Sequence, residues 1–184
     1  MTTHPLPLTA RQSGAIAALL AASSVALTLG FACALPLAAF AAISATTFRP
    51  VPAVGAVLAV WLANQIVGFG VLHYPIDAST IAWGFALGAI GLLSLGAAYA
   101  ALSRLGGYAG ALAAFLLAFV VYEGAVYVVC VASGTGTGSF TMSIMTRIFL
   151  INALSFVALL AARELLTRVA LRRRTETSAA LRHA

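Results

Sequence analysis

Residues 13–48 read SGAIAALLAASSVALTLGFACALPLAAFAAISATTF, an apolar stretch without a single charge, interrupted by Pro36. An α-helix rises about 1.5 Å per residue and a bilayer's hydrocarbon is about 30 Å thick, so one span uses roughly 20 residues. The stretch is too long for one ordinary span and short for two. How it folds sets the number of membrane crossings, and with it the side on which every later polar group lies.

The rest of the chain is equally apolar. Of 184 residues, 62% are hydrophobic and 8% charged, and mean hydropathy is +1.07. Soluble domains run at roughly 45–50% apolar and about 25% charged residues, so a water-soluble globule is excluded. Four further runs, 52–72, 79–102, 108–132 and 143–169, are each long enough to cross a bilayer. Pro52 suits the first turn of its helix. Residues 1–171 therefore read as a single transmembrane domain and 172–184 as a basic cytoplasmic tail.

Arginine placement decides the reading of 13–48. All ten basic residues are arginine, set against Asp77, Glu123, Glu164 and Glu176, and the formal net charge is +6. Five arginines lie between Arg168 and Arg182, and the positive-inside rule puts that end in the cytoplasm. Walking back through four spans leaves loop 134–142 outside, Arg104 inside, loop 73–78 outside and Arg49 inside. A single span over 13–48 would strand Arg11 outside. Two short helices turning near residues 30–34 bring it inside with the others.

The expectation is an all-α integral membrane protein, a six-helix transmembrane bundle with both termini cytoplasmic. The alternative is five spans with residues 34–48 re-entrant. Pro36 falls in the first turn of the second helix, where its missing N–H is harmless. Residues 1–13 read as a retained leader rather than a removed signal peptide. The arginine-rich tail suits anionic headgroups, and its lack of interleaved aromatics argues against nucleic acid as a partner. The lipid bilayer of a bacterial-type inner membrane is the expected setting.

Within that topology the polar groups gather in the outer half. Trp61, Asn64, Gln65 and Gly68 follow i, i+3, i+4, i+7 spacing and make one helix face with an aromatic wall and amide groups. Glu123 and Tyr127 are i,i+4 neighbours, so the phenol can lie above the carboxylate. Arg147 is placed to neutralise Glu123 or to meet an anionic group on a ligand. His73, Trp83 and Asn152 complete the candidate ligand-binding set, with Tyr74-Pro75 shaping a turn and Asp77 beside it. A charge in hydrocarbon costs at least about 2.5–3.5 kcal/mol by insertion scales, which makes Glu123 a functional candidate by default. The plainer reading joins helices instead: an ion pair for Glu123 and Arg147, interhelical hydrogen bonds for Asn64 and Gln65, a solvated loop for His73. At the inner face, Glu164 and Arg168 are spaced for an i,i+4 pair.

Catalytic chemistry does not emerge. No nucleophile constellation stands out, and the glycine-rich loop from Gly134 to Ser139 lacks the lysine of a phosphate loop. His4, His73 and His183 lie outside every span, and Cys33 and Cys130 are isolated, so neither a metal nor a haem framework is expected and no cofactor is called for. The chain is read as a non-enzyme.

Small residues recur at packing intervals: Gly84 and Gly88, Gly106 and Gly110, and, in the first helix, Ala17 with Ala21 and Ala18 with Ala22. An alanine-rich first helix, six spans with cytoplasmic ends and a polar outer half together resemble the S components of energy-coupling-factor vitamin transporters. The rows Ala17/Ala21 and Ala18/Ala22 look like the alanine-x-x-x-alanine row by which such proteins dock on a transmembrane partner. The segment from Phe48 to Ala56, FRPVPAVGA, is also similar to S-component-like membrane proteins. The resemblance implies capture of a small vitamin-like solute from the outer face, with ATP hydrolysis on separate ATPase subunits. A contrasting expectation is an accessory or assembly subunit of a larger membrane complex, in which the same polar groups only join helices.

Overall fold

The computed structural model describes residues 35–180, and among these every regular element is helical. Helix α1 covers Leu37–Thr47, α2 Pro50–Gly70, α3 Ala78–Leu102, α4 Gly107–Ser133 and α5 Met142–Ala180, with a short 3₁₀ turn at Thr137–Ser139. Helices α2, α3, α4 and the Met142–Val169 part of α5 are long and apolar enough to cross a membrane. Their starts and ends fall within two residues of the spans expected from sequence, save that α5 runs on as helix into the basic tail. The result is an all-helical, multi-pass membrane bundle.

Helix α1 departs from an ordinary span. Eleven residues give about 16 Å, roughly half of a hydrocarbon core. Pro36 sits at its N-cap and Pro50 opens the next helix. Phe48 and Arg49 between them are extended, as the residue preceding a proline favours. The Tyr99 hydroxyl of α3 donates to the Phe48 carbonyl at 2.9 Å and pins this corner. The expected first span, with Arg11, Cys33 and the docking rows Ala17, Ala18, Ala21 and Ala22, lies outside the described residues.

Although short, α1 is the centre of the bundle. From Leu37 to Ala45 no residue is more than 6% exposed, and the helix packs against all four long helices. Its composition explains why it fits. Ala38, Ala39, Ala41, Ala42 and Ala45 meet Ala98 and Ala101 of α3 and Ala111, Ala114 and Ala118 of α4, so backbones approach closely where lipid gives no hydrophobic drive to associate. On its other flank Leu37, Phe40 and Ile43 pack with Val60 of α2 and Leu159 of α5.

Helices α2 and α3 mesh through α3's glycines. Val57, Trp61 and Gln65 of α2 lie over Gly91, Gly88 and Gly84 in turn: a Cβ at Gly84 would stand 2.6 Å from Gln65 Oε1, and one at Gly88 3.0 Å from the Trp61 indole. The Gly84/Gly88 row thus receives large side chains rather than a second small-residue row. Gly110, by contrast, sits under the Leu105 carbonyl of its own preceding turn, and Gly106 faces open space. Helix α4 ends at Gly134, in the left-handed conformation with φ 68°. The amide of Thr135 returns to the Cys130 carbonyl, a glycine C-cap that gives the following loop a defined start.

At the other end, Arg163 pairs with Glu164 at 3.2 Å. This replaces the Glu164–Arg168 pair expected from spacing. The pair is partly exposed, which limits its contribution to about 0–1 kcal/mol.

Candidate functional site

Arg49, Arg104, Arg163 and Arg168 lie at one end of the helices; Trp61 to Gly68, Trp83, Glu123, Tyr127, Arg147 and Asn152 lie in the other half. The boundary is the N-terminus of α1. Glu123 and Asn152 are each about 15 Å from the loop ends of their helices, Ser133 and Met142 respectively.

Asn152 is 1% exposed and its side-chain oxygen accepts the Ala39 amide at 3.2 Å. The first amides of any helix lack intrahelical partners. Here a residue from α5 supplies the cap that Pro36, without a side-chain acceptor, leaves missing. The Asn152 amide nitrogen donates to Ile148 O at 3.1 Å. Asn152 is thereby committed to structure on both sides.

Trp61 is similarly engaged. Its indole N–H donates to the Gly84 carbonyl at 2.7 Å, and its ring lies 6.1 Å from that of Phe85. With Gln65 against Gly84 and the Tyr74 ring against Gly68, the face expected to line a pocket is largely taken up by packing on α3 and on the 71–77 loop. The cause is the missing side chains of Gly84, Gly88 and Gly68, which leave room for these groups. Asn64 and Trp83 are half-buried beside this contact.

His73 is exposed and adopts φ 54°, a left-handed turn conformation uncommon for a residue with a Cβ. Asp77 caps α3: its carboxylate accepts the Thr80 amide at 2.8 Å, and that hydrogen bond holds the carboxyl below the usual aspartate range. Sequence reasoning treated Asp77 as a loop residue; the Asp-x-x-Thr pattern at a helix start was the available signal.

Glu123 differs from all of these. It is 7% exposed, and Oε1 is buried with no hydrogen-bond partner. The expected Arg147–Glu123 pair does not form. Arg163–Glu164 is the ion pair found among the described residues, and Arg147 is exposed. Helical geometry gives the reason. Phe149 faces α4, with its ring 5.1 Å from Phe119, and Arg147, two residues earlier, points about 200° around the helix. Nor does the Tyr127 phenol cover the carboxylate: the residue is 48% exposed and its ring packs edge-on against Phe140 at 5.0 Å.

Sequence reasoning missed the aromatic setting of Glu123. Phe115, Phe119, Glu123 and Tyr127 repeat at i+4 along α4, and across the seam they meet Phe156, Phe149 and Phe140. Glu123 is the single carboxyl of this strip, one turn from an aromatic pair on either side. Two hydroxyls of α1, Ser44 Oγ and Thr47 Oγ1, are also buried without partners. Among the described residues no three His, Cys, Asp or Glu side chains come together as a metal site. Comparison of the chain with family models, curated proteins and solved structures finds no match to any of them.

Proposed function

We propose that this chain is a membrane uptake subunit that captures a small, vitamin-like solute from the outer face and works with separate energising subunits. The observation that carries the reading is the unpartnered Glu123 oxygen, buried in the half of the bundle that α1 does not fill. A carboxyl oxygen in so apolar a place is left at a cost of about 1–3 kcal/mol or more unless something donates to it. A solute that supplies the donor repays that cost. Arg49, Arg104, Arg163 and Arg168 gather at the opposite end, and the positive-inside rule then supports the Glu123 half as the outer one.

A second reading, an accessory or assembly subunit, is favoured by Trp61 and Asn152, whose polar atoms hydrogen-bond across to neighbouring helices. Mass spectrometry of material purified in mild detergent separates the two. The capture reading expects a small molecule at near one per chain, reduced by Glu123→Gln. Full retention by that variant removes the site from the Glu123 carboxylate, and stable partner proteins without any solute favour the accessory reading.

A further inference from the structure

The Glu123 seam constrains the chemistry of any solute that the proposed capture site takes. The side chains shown along the α4–α5 seam on either side of Glu123 are aromatic, apolar or uncharged. On its own helix Phe119 and Tyr127 flank it at i−4 and i+4. On α5, Phe149 with Met145 and Asn152 shares the facing side by helical spacing, and Asn152 is already committed to α1. From the loop comes Phe140. Tyr127, and Tyr122 next to Glu123 in sequence, are the other titratable groups near the carboxylate. No arginine among the described residues pairs with Glu123.

We propose, building on the capture reading, that the solute presents an organic ammonium group to Glu123, held between the Phe119–Phe149 and Tyr127–Phe140 ring pairs. A lone carboxylate is neutralised by a cation, and ring faces attract a cation through their quadrupole, most strongly where water is excluded. An anionic solute would meet like charge and find no described basic side chain in the seam. A neutral donor would satisfy Oε1 but draw nothing from the rings. The exposed Tyr127 gives the seam its approach from the loop end, whereas Phe119 lies deeper.

The test uses the full-length chain in lipid nanodiscs, titrated calorimetrically with choline chloride and with 3,3-dimethyl-1-butanol, its uncharged isostere. Choline is expected to bind saturably and at least about ten-fold more tightly than the isostere, the size of effect that a desolvated cation on rings and a carboxylate gives. Glu123→Gln, which keeps shape and hydrogen bonding, is expected to bring the two affinities together, and Tyr127→Leu to weaken choline several-fold. Equal affinities in wild type, no saturable choline binding, or a preference that survives Glu123→Gln would each overturn the ammonium assignment. A neutral or anionic solute recovered from purified wild type would overturn it too while leaving the capture reading standing; absence of any solute and of choline binding would remove both.

Discussion

Asn152 of α5 caps α1 across the bundle, its side-chain oxygen accepting the Ala39 amide at 3.2 Å from 113 residues away in the chain. A half-length helix ending inside a bilayer exposes amides that no water can reach, and each one left unmet is costly. The proline at the N-cap cannot help, so the cap comes from a neighbouring helix. Asn152→Leu, close in volume but without the acceptor, is expected to destabilise the protein by about 1–3 kcal/mol. Thermal or denaturant unfolding in detergent measures this; an unchanged midpoint would mean the contact contributes nothing.

Trp61 and Gly88 act as a unit. Trp61→Phe removes the 2.7 Å bond to Gly84 O and is expected to cost about 0.5–1.5 kcal/mol. Gly88→Leu drives a side chain into the indole and is expected to cost about 1–3 kcal/mol, with a change in tryptophan emission. Because both substitutions act on the seating of the same indole, the double variant should lose less than the two losses added together. Strict additivity would show that the groups do not interact.

Glu123 and Arg147 should behave as strangers. Arg147→Ala is exposed and unpaired and is expected to shift stability by no more than about 0.5 kcal/mol. In a double-mutant cycle with Glu123→Gln the coupling should lie near zero. A coupling above about 1 kcal/mol would restore the ion pair that the spacing suggested.

Asp77 holds the first turn of α3 through the Thr80 amide. Its carboxyl lies below the ordinary range, so the cap is intact above the usual aspartate value near 3.9. It is lost as pH falls through the lower folded value. Hydrogen exchange at Thr80 should quicken in Asp77→Ala at neutral pH and stay slow in Asp77→Asn, which retains an acceptor. Equal exchange in all three would remove the cap.

The four long helices were legible in sequence because each is a run of apolar residues bounded by Pro, Gly or a polar loop. Residues 13–48 were less so. Pro36 marked a boundary, yet periodicity cannot say that α1 is buried on every side, since alanine serves lipid-facing and core positions alike. The site was legible only as a set of polar residues at one depth. Spacing put Trp61 and Gln65 on one face but could not show that α3's glycines receive them. It placed Arg147 near Glu123 in depth while a two-residue offset from Phe149 turns it away. The Phe119–Glu123–Tyr127 strip was present as i+4 spacing, hidden among other aromatics.

Native mass spectrometry of the full-length protein released from nanodiscs weighs the central claim most directly, comparing wild type with Glu123→Gln and Arg147→Ala. Wild type and Arg147→Ala are expected to carry one small solute per chain, and Glu123→Gln to carry little or none while unfolding at a similar temperature. A wild-type chain that flies without any small molecule, or one whose solute is held equally by Glu123→Gln, would contradict a capture site built around Glu123.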